Sequence, residues 1–150
     1  MLRQQLTTAM KEAMKAGDKT RLATVRLILA SLKQKDIDSR VDRPAGLTDT
    51  EILQLLQTMI KQRRESISIF EKAGRNDLAT KEKDEVQVIE TFLPHQMSDA
   101  EIKTAIEKII SETGATSSKD MGKLMAALKN QYAGQMDFGK ASQMIKQCLT

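Results

Sequence analysis

The sequence predicts an all-α protein: an N-terminal helical bundle that contains a long helical hairpin, followed by a C-terminal three-helix tail domain. Three observations carry this reading. Apolar residues recur at helical spacing from end to end, and strand-like alternation persists nowhere. Pairs of the capping-box type, Thr48 with Glu51 and Ser98 with Glu101, stand directly before apolar-periodic runs. Glycines and prolines fall where those runs stop.

A first helix is expected over Leu2 to Lys15, where Leu6, Ala9, Met10, Ala13 and Met14 share a face and Gly17 closes the element. Asp18 is placed to cap a second helix reaching about Lys35, with Leu22, Val25, Ile28, Leu29 and Leu32 on one broad face. Residues 36–47 mix alternating charges with Pro44 and Gly46 and read as a solvated, flexible loop. Thr48 and Glu51 open a long helix that runs to Ala73, about 38 Å at the usual rise, and Gly74 stops it. A fourth helix runs from Asn76 or Asp77 to about Phe92, where Pro94 forbids smooth continuation. The boundary is drawn at Leu93 to Met97, giving residues 1–94 and 95–150. In the second segment, Ser98 and Glu101 start a helix ending at Gly114, a further helix begins at Ser117 or Ser118, and a last one spans Asp137 to Leu149.

Composition narrows the function classes. Aromatic residues are 3% with no Trp, which disfavours single-strand recognition by base stacking. The net charge is +4, but it is concentrated: residues 1–47 carry +5, residues 48–94 carry −2 and residues 95–150 carry +1. Such an excess fits weak polyanion contact and ordinary solubility equally. A single cysteine, Cys148, excludes an internal disulfide and any multi-cysteine metal site. With no apolar N-terminal run and no stretch of membrane-spanning length, the expectation is a cytoplasmic protein without a membrane partner. His95 is the only histidine, so neither a histidine metal site nor a Ser-His pair is expected, and no cofactor or catalytic residue is assigned. Cys148 reads as a small buried hydrophobe near Ile145 and Leu149.

Two constellations stand out. Arg63 falls in the middle of the apolar arc of the third helix, and Glu82 and Glu85 fall inside that of the fourth. Arg63 precedes Gly74 by eleven residues and Glu85 follows it by eleven, so an antiparallel hairpin brings them level. The expectation is a register-fixing ion pair between Arg63 and Glu85. A paired-carboxylate acid/base site finds no supporting His or Cys.

The second constellation lies in the segment from Ser117 to Gly139. Ser117 with Asp120 resembles another capping box, and Met121, Leu124, Met125, Leu128 and Tyr132 mark a core face. Beside it run Lys119, Gly122, Ala126, Lys129 and Ala133, with Lys123 adjacent. An interior glycine costs about 1 kcal/mol relative to alanine, so Gly122 predicts that something approaches the bare backbone. One candidate is the sugar-phosphate backbone of RNA, neutralised by Lys119, Lys123 and Lys129; the other is a tightly packed helix. A further stripe, Lys19, Arg26 and Lys33, recurs every seven residues and reads as a solvated face or as a track for phosphates.

Taken together, residues 13–33 (AMKAGDKTRLATVRLILASLK), residues 60–86 (IKQRRESISIFEKAGRNDLATKEKDEV), FLPHQ at 92–96, KDMGKLM at 119–125, and the pair Gly134 and Asp137 resemble the YqeY family. A region similar to that family also forms the C-terminal part of the tRNA-holding component of tRNA-dependent amidotransferases. The resemblance covers nearly the whole chain and departs at Phe92, where the family more often has Tyr. It implies two helical modules, tRNA as a partner, and an amidotransferase or synthetase as an alternative partner for a non-catalytic docking module. It also implies the class label of a carbon-nitrogen ligase with glutamine as amido-N-donor. The residues here assemble neither the amidase nucleophile nor the phosphoryl-transfer site which that chemistry needs.

Overall fold

Seven α-helices and one short 3-10 turn make up the described residues, 1–149 of a computed structural model, with no strand among them. They gather into two units, Met1–Leu93 and the segment from Pro94 onward.

In the first unit, α1 (Leu2–Ala16) ends because Gly17 adopts φ 69°, a left-handed conformation that glycine reaches without strain. Its N–H then closes onto the carbonyls of Ala13 and Met14. Asp18 follows at once and accepts from Arg21 N at 3.0 Å, which starts α2 (Lys19–Asp38). The chain enters α3 (Asp49–Lys72) through a complete capping box: Thr48 Oγ1 accepts from Glu51 N, and Glu51 Oε1 accepts from Thr48 N. Gly74, at φ 72°, reverses it into α4 (Asn76–Glu90). Leu6, Ile28, Ile52, Leu56 and Ile89, one or two from each helix, are fully buried together. Each such side chain contributes roughly 1.5–3 kcal/mol over its exposed state.

Two expectations need correction here. The second helix runs three residues beyond Lys35, and the loop that follows is held rather than free. Asp36 is the reason. Its carboxylate takes both Nη atoms of Arg3 at 2.6 Å and the N–H of Leu47 at 2.9 Å, while Arg3 also donates to Leu47 O at 3.2 Å. Gly46, with φ 82°, lies so close that a Cβ there would meet Arg3 Nη2 at 2.5 Å. The loop return is thus tied to α1 and α2 through groups 33 and 44 residues apart, which no local pattern reveals.

The Arg3 guanidinium holds the Asp36 carboxyl below its ordinary value, with the Leu47 N–H adding to the effect against the cost of burial. A carboxyl lowered on folding stabilises above its unfolded pKa of about 3.9, and that contribution fades as pH falls through the lower folded value. An acid titration of stability is therefore expected to lose this component below about pH 4. Asp36→Asn is expected to remove it and to cost about 2 kcal/mol at neutral pH, read by urea unfolding.

The second unit opens on another complete capping box, Ser98 with Glu101, at the start of α5 (Asp99–Thr113), and Gly114 ends that helix at φ 65°. Glu101 is held below the usual carboxylate range first by the Ser98 N–H and then by His95. The 3-10 turn Ser118–Asp120 leads into α6 (Met121–Gln131), and α7 (Phe138–Leu149) follows, with Asp137 Oδ1 accepting from Gly139 N at 2.9 Å. Ile102, Ile106, Ile109, Leu124, Leu128, Met136, Ala141 and Ile145 form its core. The entering chain is fastened to the α6–α7 connection, since Met97 N donates to Gln135 O at 2.8 Å and Gln96 Nε2 to Gly134 O at 2.6 Å.

Candidate nucleic-acid interface

The start of α6 departs from the capping box expected of Ser117 and Asp120. Ser117 Oγ accepts from Lys119 N at 3.4 Å, and Asp120 Oδ2 reaches back to Thr116 N at 3.2 Å rather than to Ser117 N. The first turn is consequently 3-10, and the α-helix begins only at Met121. Gly122 is therefore in the first turn, not in the helix interior. Its helical cost is smaller than at a mid-helix site.

Leu124 and Leu128 face the core with Met121, Met125 and Tyr132 packed beside them. The opposite side carries Lys119, Gly122, Lys123, Ala126, Lys129 and Asn130, all exposed. A Cβ built on Gly122 meets nothing within 4 Å. Tight helix packing over Gly122, one of the two explanations for the glycine, is thus not present among the described residues. None of Lys119, Lys123 and Lys129 is paired with a carboxylate among the described residues, whereas Lys140 is spent on Asp99 at 2.6 Å and Lys108 lies 3.9 Å from Glu112. The face is short, cationic, unpaired and low in relief. Gly122→Ala is expected to leave stability unchanged or raise it by up to about 1 kcal/mol, measured by thermal unfolding, because the site is helical and open.

The other singled-out residues fall elsewhere. Arg63 and Glu85 are brought together: Arg63 Nε donates to Glu85 Oε2 at 2.9 Å, with side chains 15% and 14% exposed. Glu82 stands at 4.0 Å, and Arg63 Nη1 also donates to Met59 O at 3.2 Å. Two outer pairs, Lys83 with Glu71 at 2.6 Å and Arg64 with Glu90 at 3.0 Å, flank it along the α3–α4 hairpin. This arrangement fixes register; a catalytic carboxylate dyad would not have an arginine inserted beside both members. Lys19, Arg26 and Lys33 are exposed along α2, and Arg26 rests on Met14 Sδ at 3.8 Å. His95 is exposed beside Glu101, at 3.3 Å. Cys148 is exposed as well, which corrects its reading as a buried hydrophobe: it lies in the last turn of α7, where solvent rather than a core residue meets it. Among the described residues no three His, Cys, Asp or Glu side chains gather as a metal site, and no helix is long and apolar enough to cross a membrane.

Sequence reasoning passed over Arg21. Its guanidinium lies 5.2 Å over the Phe92 ring and donates to Thr91 Oγ1 at 3.3 Å, partners 70 and 71 positions away for which no local signal exists.

Comparison with known proteins places these features in context. A family model described as Yqey-like protein matches residues 3–149. The chain is similar to altered inheritance of mitochondria protein 41, mitochondrial, of Eremothecium gossypii, at 43% identity over 84 residues, 56% of this chain and 44% of that protein. It is similar to the protein of the same name from Vanderwaltozyma polyspora at 34% identity over 105 residues, 69% of this chain and 55% of that one. The counterpart from Clavispora lusitaniae is 28% identical over 144 residues, 94% and 81% of the two chains. The chain spans about half the length of the first two relatives. These names overturn the cytoplasmic expectation, because they are names of mitochondrial proteins. A lone thiol and the lack of an apolar leader do not separate the two compartments, since mitochondrial targeting segments are amphipathic and Arg-rich rather than apolar. With the match running through both helical units, this chain belongs to the YqeY family.

Proposed function

We propose that the protein is an accessory factor that contacts tRNA, docking the RNA backbone on the face of α6 that carries Lys119, Gly122, Lys123 and Lys129. The observation that carries this reading is the state of that face: exposed, without a carboxylate partner among the described residues, and bare at Gly122 and Ala126. Three ammonium groups around a low-relief helical surface suit phosphate and shape recognition, which reads no base sequence. Family membership supports the same direction, through the resemblance to the tRNA-holding region of glutamine-dependent amidotransferases. On this reading the chain holds RNA and performs no bond chemistry of its own, and the Arg63 and Glu85 pair builds the scaffold of the other unit.

The test is a titration with unfractionated tRNA at two salt concentrations. Phosphate docking predicts an affinity that falls steeply with salt, each neutralised phosphate adding about 0.7–0.9 to the slope of log K against log salt. Gly122→Ala, harmless to the fold, is expected to weaken binding if the backbone seats against the glycine. A wild-type protein that fails to bind tRNA at low salt contradicts the proposal and favours docking on a protein partner instead.

A further inference from the structure

The first unit has a cleft of about 460 Å³ between α1 and the turn after α4, lined by Gln4, Gln5, Thr8 and Glu12 on one side and by Arg21, Thr91 and Phe92 on the other. Arg21 is unlike the other arginines. Of the eight in the chain, five are paired with carboxylates: Arg3 with Asp36, Arg43 with Glu51, Arg63 with Glu85, Arg64 with Glu90 and Arg75 with Asp77. Arg26 and Arg40 are exposed to solvent. Arg21 is half-buried, yet it has no carboxylate within ion-pair distance among the described residues.

Its guanidinium is nevertheless held in place. One face lies over the Phe92 ring at 5.2 Å, and Nη1 donates to Thr91 Oγ1 at 3.3 Å. Thr91 is itself fixed, because its hydroxyl donates to Val88 O at 2.6 Å and so offers only a lone pair to Arg21. A cation that is partly desolvated and immobilised without a counter-ion is costly in the empty cleft and favours an anion that fills it. Across the cleft, the amides of Gln4 and Gln5 and the hydroxyl of Thr8 make no side-chain hydrogen bond among the described residues. These are neutral groups free to serve the rest of a ligand. Glu12 sets the charge limit: one cation with one carboxylate nearby accepts a monoanion more readily than a dianion.

We propose that this cleft binds a small organic carboxylate, the carboxylate on the guanidinium of Arg21 and the polar remainder on the Gln4, Gln5 and Thr8 side. Such a site lies in the first unit and is independent of the RNA face on α6.

The experiment is an amide NMR titration of the full-length chain with N-acetylglycine, its uncharged counterpart N-acetylglycinamide, and inorganic phosphate. Saturable shifts confined to the cleft are expected with N-acetylglycine, in the millimolar range, and none with the amide. Arg21→Gln is expected to weaken binding at least tenfold, roughly the loss of a hydrogen-bonded ionic contact, with the spectrum away from the cleft unchanged. Arg26→Gln, on the same helix but exposed, is expected to leave it unaltered. Phe92→Leu keeps every charge and is expected to weaken binding by freeing the guanidinium. Equal shifts with the amide, tighter binding of phosphate, equal loss in Arg26→Gln, or no saturable shift with N-acetylglycine would each overturn the proposal.

Discussion

Leu56→Ala is expected to cost about 3 kcal/mol, the middle of the range for removing a fully buried leucine. Leu56 has no exposed surface and stands where side chains from α1, α2, α3 and α4 meet, between Leu6, Ile28, Ile52 and Ile89. All four helices line the site, so none can move in without disturbing the others, and much of the lost volume stays as a cavity. Each kcal/mol lowers the melting temperature of a domain of this size by about 4–8 °C, so a fall of about 12–24 °C is expected by calorimetry or circular dichroism. Leu27→Ala, on the exposed side of α2, serves as the control and is expected to change stability by less than about 0.5 kcal/mol. Equal effects at the two positions contradict the assignment of the core.

The second large effect is at Arg63. Breaking a fully buried ion pair costs about 3–5 kcal/mol; with side chains 15% and 14% exposed the expectation for Arg63→Ala is lower, about 2–3 kcal/mol. Glu85→Ala is expected to cost less than Arg63→Ala, because Glu82 at 4.0 Å remains to face the guanidinium, whereas removing Arg63 leaves two carboxylates without it. A double-mutant cycle on Arg63 and Glu85 is expected to give a coupling of about 1–2 kcal/mol, and a coupling indistinguishable from zero contradicts a role for the pair in the hairpin.

The sequence is informative wherever cause and effect lie within one helical turn. Thr48 with Glu51 and Ser98 with Glu101 close as capping boxes, and Gly17 and Gly114 end their helices in the left-handed conformation, because each depends on groups three or four residues apart. The all-α architecture follows from the same short-range periodicity. What the sequence conceals is pairing across distance. Asp36 reads as one charge among many in a loop, yet it anchors Arg3 and Leu47. Arg21 reads as the polar side of α2, yet Phe92, 71 residues later, fixes it above a cleft.

Even local rules fail where two solutions compete. Ser117 and Asp120 have the spacing of a capping box, but Asp120 finds Thr116 N instead, and the turn tightens to 3-10. Part of the lysine face was legible, since its members share one side of a helical wheel. Whether anything packs over it was not, because that depends on where α5 and α7 lie.

The most direct measurement of the central claim is tRNA binding by a variant with Lys119, Lys123 and Lys129 all changed to alanine, compared with wild type at two salt concentrations. All three side chains are exposed and have no carboxylate partner among the described residues, so the fold is expected to be unaffected, which circular dichroism checks. The prediction is weaker binding at low salt together with a salt slope reduced by about 2–3, the loss of three phosphate contacts. Affinity and slope both unchanged in the triple variant would contradict the assignment of this face to RNA.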